Sequence, residues 1–206
     1  FGEKIKFLKE NVPNVDKAII SVHCHNDLGL ATANTLSGIA NGARQVEVTM
    51  NGIGERAGNT SLEEVVMALY TKRDYLPYTT HVRPQEIATT SKMVSQIMGI
   101  PVQPNKAIVG ANAFAHSSGI HQDGVLKRRE NYEIIDPKTV GFDSSKIILT
   151  ARSGRAALRH KLETLGIVVT QEQLNKLYQD FLHLADSKKE IYDEDLRFLI
   201  GQKSVI

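Results

Sequence analysis

The sequence predicts an α/β fold over residues 1–78 and a mostly helical remainder, and three observations carry this. Helix, strand, helix, strand and helix follow one another with short connections, the order that βα units around a parallel sheet produce. The run Ala18-Ile19-Ile20-Ser21-Val22 is short and almost wholly apolar, as expected of a strand covered on both faces. From Ser153 onward the apolar residues recur at helical spacing.

Each element has its own signal. Glu3 to Asn11 reads as the end of a helix closed by Pro13. After the first strand and Asn26-Asp27-Leu28-Gly29 comes a small-residue helix, Leu30 to Ala40, stopped by Asn41-Gly42. Gln45 to Met50 is the second strand, followed by a glycine-rich loop, Asn51 to Asn59. Ser61 and Glu64 have the spacing of a capping box at the start of the next helix. Pro84 suits the first turn of a helix running to about Met98, and residues 101–115 read as a linker. Three further helices are expected near 154–165, 171–186 and 192–200, the second opened by Thr170 and Gln173 as a capping box. Leu174, Leu177, Tyr178, Phe181, Leu182 and Ala185 mark its apolar face.

Composition narrows the function. The chain has 206 residues, 41% hydrophobic and 23% charged, the balance of a chain with a packed core. A net charge of +2 is far too mild for a nucleic-acid binder. The basic stretches Lys127-Arg128-Arg129 and Arg152 to Lys161 read as solvated faces, with contact to an anionic cofactor such as CoA as the alternative. Cys24 is the only cysteine, so no intrachain disulfide forms, and a reducing, cytoplasmic compartment is expected. No apolar run approaches the ~20 residues that span a bilayer. The chain opens on Phe1 rather than Met, which suggests a piece of a longer protein.

The densest chemistry is His23-Cys24-His25-Asn26-Asp27, on and just after the first strand. Side chains alternate along a strand, so the two histidines share a face and Cys24 takes the other. Two imidazoles so placed can converge on one cation. Hydrogen-bonded histidines with no metal fit the spacing equally well. The position at a strand's C-terminal end is where parallel α/β folds keep their active sites. Along the second strand Glu47, Thr49 and Asn51 share a face, as in a polar-lined barrel interior or on an exposed edge. The loop Asn51-Gly52-Ile53-Gly54-Glu55-Arg56-Ala57-Gly58-Asn59 matches neither the P-loop nor the dinucleotide fingerprint. If the strands are neighbours, it brings Asn59 beside the histidines as a candidate third ligand.

These residues also carry a resemblance. His-Cys-His-Asn-Asp-Leu-Gly-Leu-Ala (23–31) followed by Asn-Gly-Ile-Gly-Glu-Arg-Ala-Gly-Asn (51–59) resembles the paired signature of the DRE-TIM metallolyases. His-Ser-Ser-Gly-Ile-His-Gln-Asp-Gly (116–124) and Arg-Glu-Asn-Tyr-Glu-Ile-Ile-Asp-Pro (129–137) are similar to the isopropylmalate and homocitrate synthase branch of that family. The resemblance implies that residues 1–78 are the C-terminal part of a (β/α)8 TIM barrel, its last two strands. Residues 79–150 would then be a linking subdomain, and 151–206 a helical subdomain leading to a regulatory domain. A whole barrel needs about 250 residues, more than this chain has.

The resemblance further implies His23, His25 and Asn59 as metal ligands, with Mn²⁺, Mg²⁺ or Zn²⁺ bound. It implies His121 and Tyr132 in proton transfer, delivered to a neighbouring protomer of a homodimer, and Glu55 near acetyl-CoA. Asp27 would orient a ligand from behind. The implied activity is condensation of acetyl-CoA with 2-oxoisovalerate in leucine biosynthesis, homocitrate or citramalate synthesis being the near rival. The family's Asp-Arg-Glu motif, with its aspartate ligand, does not occur in this sequence. The segment alone is therefore expected to be inactive, and a dimer-forming structural module is the reading from another class.

Overall fold

A computed structural model describes residues 1–116, 122, 134–143, 146–188 and 190–201. Contacts gather these into two compact units: Phe1–Ala113 with Pro137–Asp143, and Phe114–Asp136 with Ser144–Ile206.

In the first unit, α1 (Gly2–Asn11), β1 (Ser21–His23), α2 (Ala31–Ala40), β2 (Gln45–Glu47) and α3 (Leu62–Thr71) follow in the expected order. β1 and β2 pair in parallel, with Ser21 opposite Gln45, Val22 opposite Val46 and His23 opposite Glu47. Helix α1 lies so close to α2 that a Cβ on Gly2 would fall 2.3 Å from Oγ of Ser37. Ile5, Val22 and Ala43 pack beneath the strands, and Ile39, Val65 and Leu69 join α2 to α3 against Val46 and Val48. A 3-10 turn at Pro84–Glu86 leads into α4 (Ile87–Met98), which Gly99 ends in a left-handed conformation at φ 65°.

Both strands are shorter than expected. Ile19 is 70% exposed, so the apolar run around it is not covered on both faces among the described residues. β2 stops at Glu47, and Met50–Gly52 forms a 3-10 turn in which Asn51 takes φ 63°. Asn51 therefore leaves the face it was expected to share with Glu47. The capping box at the start of α3 does not form either, because Ser61 makes no side-chain cap bond. Lys106 reaches in from beyond α4 and engages both Ser61 and Glu64, the two residues the box would have needed.

The second unit holds β3 (Ala115–His116) parallel to β4 (Lys146–Ile147), then α5 (Arg155–Thr164), α6 (Gln171–Ser187) and α7 (Asp193–Leu199). Two-residue strands are too short to leave a periodic trace, and the linker expected over 101–115 runs into the first of them. Gln122 ties the pair together, its Nε2 donating to the carbonyls of His116 and Ile148 at 2.8 Å each. The helices pack around Leu158, Leu162, Leu174, Leu177, Phe181 and Leu196. All six residues of the expected α6 stripe belong to this core. The capping box of α6 is present: Thr170 accepts from the Gln173 amide at 3.2 Å, and Gln173 accepts from the Thr170 amide at 2.8 Å. No helix among the described residues is long and apolar enough to cross a membrane.

Candidate metal centre

Along the chain out of β1, burial alternates: Val22 and Cys24 are buried, His23 and His25 are exposed. Cys24 is thus a core side chain, and the imidazoles share the open face. Their Nε2 atoms lie 3.3 Å apart, with the rings edge to face at a centroid distance of 4.9 Å. Such a contact is either one N–H···N hydrogen bond or two lone pairs aimed at one point. Two ligand nitrogens each about 2.0–2.1 Å from a cation, at a near-tetrahedral angle, are about 3.3–3.4 Å apart. The observed spacing fits that arrangement. Glu47, opposite His23 in the sheet, places Oε2 4.0 Å from His23 Nδ1, while Ser21 Oγ donates to its other oxygen at 2.9 Å.

The glycine loop folds back onto the histidine segment. The Asn26 amide donates to the Gly58 carbonyl at 2.8 Å, the Thr60 amide to the Cys24 carbonyl at 3.1 Å, and His25 and Asn59 form an antiparallel bridge. Thr60 is fully buried and its hydroxyl meets that of Thr35 at 2.8 Å, anchoring this return to α2. Asn59 is held tightly as a result. Its Oδ1 is buried with no hydrogen-bond partner. An orphaned buried carbonyl costs on the order of 1–3 kcal/mol, and a cation is one partner that would remove that cost. Gly54 makes the fit possible, since a Cβ there would fall 2.5 Å from Asn59 Nδ2.

Two imidazole nitrogens and one amide oxygen thus come from adjacent segments, the donor mix that suits a divalent cation of borderline character. Among the described residues no group of three or more His, Cys, Asp or Glu could hold a metal ion.

Other expected site residues go elsewhere. Asp27 takes its side-chain hydrogen bonds from Arg56 and interacts with His25 through charge. Its carboxylate accepts from Arg56 Nε at 2.7 Å and from a terminal guanidinium nitrogen at 3.1 Å, a two-pronged grip across the mouth of the loop. That hydrogen bond holds the Asp27 carboxyl below its ordinary 3.8 and makes the Arg56 guanidinium still harder to deprotonate. A depressed folded-state value means the pair contributes above pH 3.8 and is lost as pH falls through the lowered value. A carbon-detected NMR titration should place the Asp27 midpoint below 3.8, and Arg56→Ala should return it towards 3.8. Glu55 is 84% exposed and pairs with Arg56 at 3.6 Å. His121 and Tyr132 lie outside the described residues.

The structure adds residues that sequence reasoning missed. A cleft of about 480 Å³ opens beside the loop, lined by Asn26, Ile53, Arg56, Asn59, Gln103 and Lys106. At its floor Lys106 Nζ donates to Ser61 Oγ at 2.7 Å and to Glu64, and lies 3.6 Å from Oε1 of the fully buried Glu63. Burial pushes the Glu63 carboxyl up from 4.5, with Lys106 acting against it. No signal marks Lys106 in a stretch that reads as linker, and Glu63 looks like any acid in a helix's first turn.

Comparison with known proteins agrees along nearly the whole chain. Residues 1–94 match the family described as HMGL-like, and residues 108–189 match the one described as homocitrate synthase post-HMGL domain-like. A protein of Parabacteroides distasonis named 2-isopropylmalate synthase is 62% identical over 98% of this chain and 40% of its own length. A protein of the same name from Carboxydothermus hydrogenoformans is 58% identical over 98% of the chain and 40% of its own length. One from Haemophilus influenzae is 57% identical over 97% and 39%. The chain therefore spans about 40% of the length of these curated relatives. With the two domain matches in tandem and identities of this size across them, the chain belongs to the 2-isopropylmalate synthase family.

Proposed function

We propose that the full-length protein carrying this chain condenses acetyl-CoA with 2-oxoisovalerate on a bound divalent cation, a step of leucine biosynthesis. The observation that carries the reading is the pair of Nε2 atoms 3.3 Å apart, with a buried, unpartnered Oδ1 on Asn59, the residue whose backbone bridges to His25. The name 2-isopropylmalate synthase carried by the relatives supports the reading.

Residues 1–78 are read as the last two strands of a (β/α)8 barrel with their helices, 79–150 as a linking subdomain and 151–206 as a helical one. Supporting this are the parallel pairing of β1 with β2 and the location of the histidines at a strand's C-terminal end, the face on which barrel enzymes work. The protein would act as a cytoplasmic homodimer joined through the linking subdomains.

His23 and His25 would bind through Nε2, which requires the proton of each ring on Nδ1; Glu47, with Oε2 4.0 Å from His23 Nδ1, adds a favourable charge on that side without a hydrogen bond. Asn59 would complete this side through Oδ1. When bound, a cation of the Mn²⁺, Mg²⁺ or Zn²⁺ kind would polarise the keto group of the 2-oxo acid as a Lewis acid. His121 would take a proton from the acetyl methyl group with Tyr132, a role that suits an imidazole side chain, so that this carbon attacks the keto carbon. Water then cleaves the thioester, releasing CoA. Glu55, exposed beside the cleft, would contact acetyl-CoA, and the Arg56–Asp27 grip would hold the loop over it.

Release of CoA by the full-length protein, compared for 2-oxoisovalerate, pyruvate and 2-oxoglutarate, tests the assignment. Preference for 2-oxoisovalerate is expected, and preference for either other acid would place the protein with the citramalate or homocitrate synthases. The 206-residue segment by itself should release none, since its sequence lacks an Asp-Arg-Glu tripeptide to supply a further ligand. CoA release by the purified segment would contradict the partial-site reading.

A further inference from the structure

Asn51 adopts φ 63° and ψ 7°, a left-handed conformation that residues with a Cβ rarely take. Two partners hold it there. Its amide donates to Oε2 of Glu63 at 3.0 Å. Its side chain closes a two-way grip with α4, Nδ2 donating to the Ser91 carbonyl at 3.0 Å and Ser91 Oγ donating to Oδ1 at 2.5 Å. Ser91 is itself buried. From this turn the next residue reaches the site directly, because the Gly52 carbonyl accepts from the Asn59 amide at 3.1 Å.

Glu63 is an expensive residue to keep. It is fully buried, its Oε1 has no hydrogen-bond partner, and Lys106 stands 3.6 Å away, beyond hydrogen-bond reach. A buried carboxylate so thinly compensated destabilises a fold relative to an apolar side chain of its size. Its hydrogen bond from the Asn51 amide fixes an unusual backbone turn one residue from the Asn59 anchor.

We infer that Glu63 is a positioning residue: together with Ser91 it locks the Asn51 turn, and through Gly52 it sets the direction of the Asn59 side-chain oxygen. This rests on the reading of Asn59 as a ligand. The bland alternative is that Glu63 merely joins α3 to its neighbours.

The two are separated by the Mn²⁺ affinity of the full-length protein, measured calorimetrically with MnCl₂ for Glu63→Leu, Ser91→Ala and Asn59→Ala and for the first two each combined with the third. Glu63→Leu keeps the bulk and removes the acceptor. Glu63→Leu and Ser91→Ala should each weaken Mn²⁺ binding about tenfold or more, the usual loss when the support of a ligand goes. Neither should weaken it further once Asn59 is alanine, because both act through that side chain. Wild-type affinity in both, with Asn59→Ala weakened, overturns the positioning role and leaves the ligand reading standing. Additive losses in the combined variants overturn it as well. Unchanged affinity in Asn59→Ala removes the ligand reading and this inference with it. Should Glu63→Leu not fold, Ser91→Ala and its combination with Asn59→Ala decide the matter on the same criteria.

Discussion

Replacing His23 and His25 together by alanine in the full-length protein should abolish stoichiometric Mn²⁺ binding and bring CoA release to background. Each single replacement should cost more than the 10–100-fold typical of residues that only support a ligand. The histidine side chains are exposed, so little core is lost and the metal-free thermal midpoint should barely move. A loss of metal without a loss of stability separates a ligand from a packing residue. His81, exposed and remote in sequence from the site, is the natural comparison, and His81→Ala should bind Mn²⁺ as the unaltered protein does. Full metal content in the double variant would mean that the 3.3 Å contact is an ordinary hydrogen bond between two histidines.

Gly58→Ala should be nearly as damaging at the site, for a steric reason. A Cβ at position 58 would fall 2.0 Å from the Gly52 carbonyl oxygen, which is backbone and cannot swing aside. That oxygen is the one that accepts from the Asn59 amide, so opening the loop to admit the methyl group breaks the anchor of the candidate ligand. Gly29 offers a matched control. It too is left-handed, at φ 71° against 85° for Gly58, but a Cβ there meets nothing within 4 Å. Gly29→Ala therefore carries only the conformational penalty, on the order of 1–2 kcal/mol. Gly58→Ala should add to it at least a tenfold loss of Mn²⁺ affinity, of the size seen when a ligand's support fails. If the two variants behaved alike, loop geometry would not be what presents Asn59.

Much of this was readable in the residues. The alternation Val22, His23, Cys24, His25 needs only a strand to put both imidazoles on one side, and extended backbone persists far enough past β1 to do so. The order of βα units needed only period and punctuation. The stripe from Leu174 to Ala185 became the core of the second unit because a helix with one apolar face has one way to bury it. The box at Thr170 formed because, among the described residues, its two side chains bond to each other's backbone amides and are not drawn elsewhere.

The failures share a cause, which is competition from residues distant in sequence. Ser61 and Glu64 have the same local pattern as Thr170 and Gln173, yet Lys106, more than forty residues on, draws both away. The second strand should have run to Met50, but a buried Glu63 and Ser91 of α4 bend Asn51 out of it. Asp27 had a histidine two residues away and is gripped instead by Arg56. Side-chain hydrogen bonds across 29 to 45 residues leave no trace in a local pattern, and these are the contacts that shape the loop around Asn59.

The central claim is that His23 and His25 grip one cation together, and pulsed electron spin resonance reads this without reference to turnover. In the full-length protein loaded with a single Mn²⁺, the nitrogen modulation should report two directly bound imidazole nitrogens, falling to one in His23→Ala. A spectrum free of bound nitrogen, or one that His23→Ala leaves unaltered, would contradict it.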